Sequence, residues 1–199
     1  AAKLGTDTKA QALLQAIDIG FARMAELGAP RKVIIFTESR RTQVYLSEFL
    51  ANNGHGDKLL TFSGSNNDEA STRIHQQWLL ANRDSDRVTG SPQVDRRTAL
   101  IDHFRDHAEI MIATEAAAEG VNLQFCALII NYDLPWNPNR IEQRFGRIHR
   151  IGQEEVCRLW NLVASNTREG DVFVRLLAKI EEQRKAYGGK VFDVLGEAF

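Results

Sequence analysis

The residues WNPNRIEQRFGRIHRIGQ, from 136 to 153, contain four arginines and one glutamate between Arg140 and Arg150. This short stretch carries a local charge of +3 (four minus one) in a chain of 199 residues whose formal net charge is −1. Arginine is a planar, permanently charged donor that suits phosphate and carboxylate partners. Paired guanidinium groups stabilise the negative charge that develops on a transferring phosphoryl group. The stretch therefore indicates a site for a polyphosphate.

The same stretch has the pattern of a capped helix with two different faces. Its start signals are Asn137 before Pro138, or Asn139 with Glu142 three residues later, and its stop signal is Gly152. At 100° per residue, one face carries three apolar side chains, those of Ile141, Phe145 and Ile148. The opposite face carries the polar side chains of Gln143, Arg147 and Arg150.

Two interpretations of the polar face remain open. Most charged helix faces are simply solvated, with Arg–Glu pairs along them. Here, however, all four basic residues are arginine, and Gly146 falls in the middle of the predicted helix at a cost of about 1 kcal/mol relative to Ala. A glycine at this position is useful where a ligand must approach the helix closely, which favours a binding surface.

Composition excludes several classes of protein. The 25 Lys and Arg residues balance 26 Asp and Glu residues, so a purely electrostatic nucleic-acid binder is not indicated. Cys126 and Cys157 lie in no CxxC or Cys/His cluster, so we expect neither a disulfide scaffold nor a zinc site. No apolar stretch approaches ~18 residues and no signal peptide is visible, so we expect a cytoplasmic protein with no membrane partner.

The elements that must position the arginines alternate between strands and helices. Predicted strands cover 32–36, 58–62, a short segment near Val88, 110–113, 127–132 and 156–163. Predicted helices cover 9–28, a segment around 44–50, 71–82, 94–105, a segment starting near Asn139, and 171–187. This alternation predicts a mostly parallel sheet with helices on both faces. Ligands of such sheets collect at the carboxyl ends of strands, here after Phe36, Ala113 and Tyr132.

Several motifs that define other nucleotide or hydrolytic sites are missing from the chain. It has no phosphate loop GxxxxGK[ST], no GxGxxG, no GxSxG and no HExxH. The string DEAS at 68–71 follows a polar loop rather than an apolar strand, so we do not expect a metal site there. His103 and His107 have a spacing that could pair on zinc, but no third ligand is evident.

Four segments together resemble the second RecA-like lobe of superfamily 2 helicases of the Snf2 type. QRFGRIHRIGQ is similar to motif VI. The segment IATEAAAEGVNLQFCALIINYDLPWNP resembles motif V and the adjoining tryptophan segment, and KVIIFTES resembles motif IV. GSPQVDRRTALIDHF is similar to the conserved block between them. The resemblance is nearest to bacterial Snf2-like proteins of the RapA/HepA kind.

The resemblance implies an α/β fold, a RecA-like three-layer sandwich with a mostly parallel central sheet and flanking N- and C-terminal helices. It implies one helicase C-terminal domain over 1–199. Within it we expect a leading helix at 1–29, a core lobe at 30–163 with an insertion near 64–87, and a C-terminal helical extension at 164–199.

The resemblance also implies a shared ATP site. Arg147 and Arg150 match the arginine fingers that reach ATP across a cleft, and Gln143 lies alongside them. Gly120 and Asn122 match the part of motif V that faces the nucleotide. ATP and Mg²⁺ would be bound mainly by the first lobe, which this sequence lacks. We therefore assign no metal ligand, expect no cofactor to be bound tightly by this chain alone, and expect the isolated chain to be inactive.

Double-stranded DNA is the second partner that the resemblance implies, through contacts to its backbone. Seven residues match positions that contact the nucleic acid or transmit that contact to lobe closure: Thr114, Trp136, Asn137, Ser39, Arg40, Ser91 and Arg97. Two alternatives stay open, because Trp136 could serve only as a packing anchor and Arg97 could pair only with Asp95 or Asp102.

The resulting hypothesis is the C-terminal motor lobe of an ATP-dependent Snf2-like DNA translocase or helicase in the bacterial cytoplasm, associated with the nucleoid. Its partners would be the first lobe of the same polypeptide and, in addition, a larger protein complex. The alternative is a non-catalytic α/β module that binds nucleic acid or protein. A small-molecule hydrolase lacks a visible nucleophile and base. One departure from the family pattern is Ala117, Ala118 and Glu119 before Gly120, where small residues are usual.

Overall fold

The computed structural model describes residues 2–115, 120–135, 138–148, 157–163 and 170–171. The described strands are β1 (Val33–Thr37), β2 (Leu59–Phe62), β3 (Ile110–Thr114), β4 (Leu128–Asn131) and β5 (Arg158–Asn161). The described α-helices are α1 (Ala2–Glu26), α2 (Arg40–Leu50), α3 (Glu69–Asn82), α4 (Pro92–Asp106) and α5 (Pro138–Phe145). A π-turn at Ala51–His55 and a 3₁₀ turn at Gly56–Lys58 join α2 to β2.

The five strands form one parallel sheet in the order β2-β3-β1-β4-β5. Every residue of β1 and β3 is buried, because helices cover both faces of the sheet. Continuous apolar runs such as VIIF are typical of strands buried in this way. The structure therefore confirms the predicted three-layer RecA-like architecture, and all of the described strands are parallel.

Two apolar cores lie on the two faces of the sheet. On one face, α1 and α2 contribute Leu13, Ile17 and Leu46, which pack against alternate strand residues such as Ile35. On the other face, α4 and the α5 region contribute Leu100, Phe104, Ile141 and Ile148, which pack against the complementary strand residues. The alternation follows from the two-residue period of a strand, whose successive side chains point to opposite faces. Of the three apolar residues predicted to anchor this segment, Ile141 and Ile148 are buried, and the side chain of Phe145 lies outside the described part of the structure.

The helix α3 lies in the predicted insertion and packs on α4. The indole Nε1 of Trp78 donates to Asp102 Oδ2 at 2.7 Å, and Arg87 Nη2 pairs with the same oxygen at 2.6 Å. A cavity of about 330 Å³ remains between the two helices, lined in part by Trp78, His103 and His107. The segment 64–87 thus packs on the outer helical layer and contributes none of the described strands of the sheet.

Two details of the sequence prediction are wrong. The segment near Val88 is not a strand, because it forms turns and a loop between α3 and α4, where one apolar residue has no sheet partner. The predicted helix around the arginines ends at Phe145, and residues 146–148 form a turn. Gly146 is therefore not inside a helix, and the helix cost assigned to it does not apply.

Other predictions fall partly or wholly outside the described residues. The C-terminal extension at 164–199 lies there except for Gly170 and Asp171.

Both cysteines carry free thiols, and burial raises the pKa of Cys126 to about 12. Within the described part of the chain, no helix is long and apolar enough to cross a membrane.

The close approach of α1 to the sheet yields a stability prediction. A Cβ atom on Gly20 would lie 2.4 Å from Leu128 Cδ2, a side chain that is fully buried, with the Trp160 ring behind it at 3.4 Å. We expect Gly20→Val to lower the free energy of unfolding by about 1–3 kcal/mol through overpacking. Thermal or urea unfolding followed by circular dichroism measures this effect.

The control is Gln15→Val, which introduces the same side chain at an exposed position on the same helix, where it lowers helix propensity slightly; at Gly20, valine raises helix propensity, so propensity cannot explain a loss of stability there. It should change the unfolding free energy by less than about 0.5 kcal/mol. Equal effects of the two variants would contradict the tight packing of α1 on β4.

Candidate functional site

Polar side chains end the three central strands at one edge of the sheet. Thr37 and Thr114 are paired in register at the ends of β1 and β3, and Asn131 ends β4 next to Phe36. Thr37 and Asn131 have no exposed surface, and Thr114 is 8% exposed. Buried polar groups require hydrogen-bond partners, so this carboxyl edge must contain an internal polar network.

The centre of that network is the guanidinium of Arg144, on α5, whose residue is 2% exposed. Its Nε donates to Glu115 Oε2 at 2.8 Å, and its Nη2 pairs with the same carboxylate oxygen. Its Nη1 donates to Asn131 Oδ1 at 2.7 Å and to the Asp133 carbonyl at 3.1 Å. We refer to Arg144, Glu115, Asn131 and Asp133 as the Arg144 cluster. Since a guanidinium has five N–H donors, four hydrogen bonds leave it almost fully satisfied.

Further hydrogen bonds extend the Arg144 cluster to the neighbouring strands. Asp133 Oδ2 accepts from Thr37 Oγ1 at 2.5 Å and from the Glu38 backbone N–H at 3.1 Å. Asn131 Nδ2 donates to Asn161 Oδ1 at 2.7 Å. The ends of β1, β3, β4 and β5 are therefore connected to one guanidinium through no more than one intervening side chain.

Glu38 follows β1 beside the Arg144 cluster, whose charges affect the pKa of its carboxyl group. Burial raises the pKa of the Glu38 carboxyl, the positive charge of Arg144 opposes that effect, and the carboxylates of Asp133 and Glu115 add to it. The edge therefore has acidic groups around a buried cation, rather than the uniformly basic surface that the arginine count suggests.

Arg147 lies in the turn that follows α5 and is half-buried. Its backbone N–H donates to the Arg144 carbonyl at 3.0 Å, and its own carbonyl accepts from the Leu123 N–H at 3.0 Å. The second bond joins this turn to the segment that contains Gly120 and Asn122. Three predicted ATP-site residues are therefore brought into one region by a main-chain contact.

Three residues that the sequence predicted for the ATP site have exposed surface in this region. Gln143, Gly120 and Asn122 are exposed. Gly120 has φ of +75°, a conformation that other residues rarely adopt, and among the described residues no atom beyond its chain neighbours lies within 4 Å of the place where a Cβ would be. Asn122 Oδ1 accepts from the Gln124 N–H at 3.2 Å, which fixes a local turn. The surface here is open to an incoming ligand.

The predicted nucleic-acid residues lie at the same edge, towards β2. Ser39 is the N-cap of α2, and its Oγ accepts from the Thr42 N–H at 3.2 Å. The exposed Arg40 donates through Nη1 to Ser63 Oγ, beyond the end of β2. The hydroxyl of Ser39 thus has a structural role as a cap in addition to any ligand role.

The other two candidates, Ser91 and Arg97, lie near the start of α4. Ser91 is the exposed N-cap of α4, where its side chain makes no capping hydrogen bond. The Arg97 guanidinium carbon lies 5.8 Å from the centroid of the Phe62 ring. Three residues predicted for the site, Trp136, Asn137 and Arg150, lie outside the described residues.

The two carboxylates that could pair with Arg97 accept hydrogen bonds from other donors. Asp95 Oδ1 accepts from the Thr89 hydroxyl at 2.7 Å and from the Thr89 N–H at 2.9 Å, and the Gly90 N–H donates to Oδ2 at 3.2 Å. These bonds lower the pKa of Asp95 and close the loop before α4. Asp102 bonds to Trp78 and Arg87, as described above, and to Arg105 at 3.0 Å.

His103 and His107 are neighbours on α4, with ring centroids 5.2 Å apart. Burial lowers the pKa of His103, and the nearby His107 lowers it further. Across the described part of the chain, no group of three or more His, Cys, Asp or Glu side chains could hold a metal ion.

The sequence analysis assigned no role to any member of the Arg144 cluster. One signal in the sequence could have identified its central residue. Arg144 lies three residues after Ile141 and four before Ile148, so helical periodicity places it on the buried face rather than on the polar one. The partners of Arg144 are 11 to 29 residues away, and no local pattern indicates them.

The parallel sheet, its helical layers and the polar carboxyl edge define a RecA-like α/β lobe. The chain belongs to the family described as the helicase conserved C-terminal domain, whose profile matches residues 43–152. It is homologous to helicases of superfamily 2 and the Snf2 type, in agreement with the motifs noted in the sequence.

Two curated relatives illustrate the similarity. The chain is 41% identical over 157 residues to the uncharacterized ATP-dependent helicase YqhH of Bacillus subtilis (strain 168), covering 79% of this chain and 23% of YqhH. It is 31% identical over 125 residues to the RNA polymerase-associated protein RapA of Yersinia pestis (strain Pestoides F), covering 60% of this chain and 12% of RapA. The chain thus spans less than a quarter of the length of either relative.

A solved structure supports the fold. The chain is similar to the crystal structure of the C-terminal part of the Fun30 ATPase domain, with a TM-score of 0.54 and 23% sequence identity. The similarity covers 76% of this chain and 40% of that chain.

The burial of Arg144 yields a second stability prediction. Replacing it by Met leaves the Glu115 carboxylate, the Asn131 oxygen and the Asp133 carbonyl without their donor. Breaking a buried ion pair by removing one partner costs about 3–5 kcal/mol, and we expect a loss of this size for Arg144→Met. Urea unfolding at constant pH measures it.

The control is Arg31→Met, which removes a solvent-exposed ion pair with Glu109, 2.8 Å long. Exposed pairs contribute about 0–1 kcal/mol, so this variant should unfold near the wild-type midpoint. If Arg144→Met were equally mild, Arg144 would not be the centre of the network.

Proposed function

We propose that the chain is the C-terminal motor lobe of an ATP-dependent, Snf2-like DNA translocase or helicase. The observation that best supports this function is the hydrogen bond between the Leu123 N–H and the Arg147 carbonyl. It holds the backbone of the half-buried Arg147 next to an exposed, glycine-containing segment at the carboxyl edge of a parallel sheet. Ligands of such sheets bind at this edge.

For the ATP site, we propose that Arg147 and Arg150 act as arginine fingers and that Gln143, Gly120 and Asn122 face the nucleotide. Guanidinium and amide donors fit the oxygens of a polyphosphate. These donors would stabilise the negative charge that develops on the γ-phosphoryl group of ATP, a charge that Mg²⁺ would also help to neutralise. We assign the main ATP and Mg²⁺ contacts to a first RecA-like lobe, as the family resemblance implies.

For the DNA site, we propose backbone contacts along the same edge. The exposed groups there are Arg40, Ser39 and Ser91, which lie at the starts of α2 and α4. Thr114 and Arg97 lie between them and are less exposed. We include Trp136 and Asn137 as the segment that transmits DNA contact to lobe closure. Contacts to phosphates carry no base information, so tracking along DNA would be independent of sequence.

We retain the domain organisation that the sequence predicts, with a leading helix at 1–29, a core lobe at 30–163 with an insertion near 64–87, and an extension at 164–199. The proposed partners are double-stranded DNA, the first lobe of the same polypeptide and a larger protein complex.

The experiment that tests this function is Arg147→Ala in the full-length protein. An arginine finger contributes about 10³- to 10⁵-fold to the rate of phosphoryl transfer. We therefore expect DNA-stimulated ATP turnover to fall by about that factor, with ATP and DNA binding largely retained. Phosphate release measures turnover, and fluorescence anisotropy measures binding. Arg150→Ala should behave in the same way.

The isolated 199-residue chain is the companion sample, and it should release almost no phosphate with or without DNA. Appreciable DNA-stimulated turnover by this chain would contradict a site shared with a first lobe. If the full-length protein were inactive too, the chain would instead be a non-catalytic binding module.

A separate prediction concerns DNA. Each phosphate contact contributes about 0.9 to the slope of log affinity against log salt concentration. We expect Arg40→Gln in the full-length protein to weaken duplex binding and to reduce that slope by about 0.9, regardless of DNA sequence. The matched control, Arg23→Gln, removes an equally exposed arginine near the end of α1, at the opposite edge of the sheet. Identical slopes for the two variants would remove Arg40 from the DNA path.

A further inference from the structure

We propose that the Arg144–Glu115 pair is a positioning device that sets the location of Arg147 relative to the segment 120–123. This inference rests on the proposed function, in which Arg147 acts on ATP. Neither Arg144 nor Glu115 touches the nucleotide in this scheme. They act through the residues that do.

The side chain of Arg144 is rigidly held. Its guanidinium donates four hydrogen bonds to three residues, and its carbon lies 4.8 Å from the centroid of the Phe36 ring. A planar group held in this way is fixed in orientation as well as in position. The start of the turn at Arg144 is therefore fixed to the ends of β3 and β4.

A short, hydrogen-bonded turn of the backbone joins Arg144 to Arg147. The Arg147 N–H donates to the Arg144 carbonyl at 3.0 Å, so the backbone between the two residues is a closed turn. Ile148, next in the chain, is fully buried in the sheet core. Because the turn is closed and anchored on both sides, a displacement of Arg144 must also displace Arg147.

Glu115 and Leu123, on either side of Gly120 and Asn122, are both hydrogen-bonded to this same turn. At one end, the Glu115 carboxylate accepts from the Arg144 side chain at 2.8 Å. At the other end, the Leu123 N–H donates to the Arg147 carbonyl at 3.0 Å. The two ties enclose Gly120 and Asn122. The pair thus couples the two groups of residues that we place at the nucleotide.

This coupling matters because phosphoryl transfer depends on position. A shift of about 1 Å in a catalytic group can cost about 100-fold in rate even when the mutated residue is distant. Glutamine in place of Glu115 would keep an oxygen acceptor but lose the charge-assisted pair that fixes the guanidinium.

The test uses Glu115→Gln in the full-length protein. We expect kcat for ATP hydrolysis to fall by about 10- to 100-fold, while KM for ATP changes by less than about threefold because Glu115 does not contact ATP. Thermal unfolding is measured in parallel. Glu115→Asp, which keeps the charge but shortens the reach by one methylene, should give the same kcat loss with a smaller change in Tm.

A second measurement separates positioning from a general loss of structure. In an Arg147→Lys background with residual turnover, Glu115→Gln should add little further loss, since both changes act on the same group. Losses that multiply would show that Glu115 acts independently of Arg147 and would overturn the inference. Wild-type kcat in both Glu115 variants would overturn it as well.

The control Glu109→Gln removes a partly exposed carboxylate at the opposite edge, where it pairs with Arg31, and should leave kcat unchanged. The two proposals fail separately. Wild-type turnover in Arg147→Ala would refute the arginine finger itself. Loss of turnover in Arg147→Ala, together with normal turnover in Glu115→Gln, would refute only the positioning role.

Discussion

The buried guanidinium of Arg144 is the interaction on which the carboxyl edge depends. An ion moved out of water costs several kcal/mol, and only hydrogen bonds and an opposite charge can offset that cost. Here Glu115 supplies the charge, and Asn131 and Asp133 supply further acceptors. Because an unpaired cation would be so unfavourable, the ends of β3 and β4 and the helix α5 are constrained to one arrangement.

This constraint explains why polar residues follow such apolar strands. The interior of the sheet needs only apolar side chains that fill two faces, as in Val33–Phe36 of β1. At the carboxyl edge the backbone leaves the sheet, and polar residues such as Glu38, Glu115 and Asp133 are among the first residues after the strands. Bonds such as Thr37 to Asp133 and Asn131 to Asn161 replace packing there. They connect the end of β1 to the segment after β4, and the end of β4 to the end of β5.

Much of the fold could be predicted from the sequence, and the site only in part. Apolar runs and stop signals located all five described strands, since burial on both faces leaves a clear pattern. The Val88 prediction was wrong, because a single apolar residue in a polar loop resembles a short strand. The end of α5 was also misplaced, and Gly146 was interpreted as helical. The role of Arg144 was missed because its charge suggested an exposed residue, while its spacing from Ile141 and Ile148 placed it inside.

Stability alone does not explain why an arginine lies at this position. Well-packed apolar residues commonly replace a buried ion pair with no loss of stability, or with a gain. An apolar contact is non-directional, however, and would allow α5 to rotate or slide on the sheet. Hydrogen bonds from one planar group to three acceptors permit only one orientation. The sequence therefore retains a costly charge where geometry matters most, three residues before the guanidinium of Arg147.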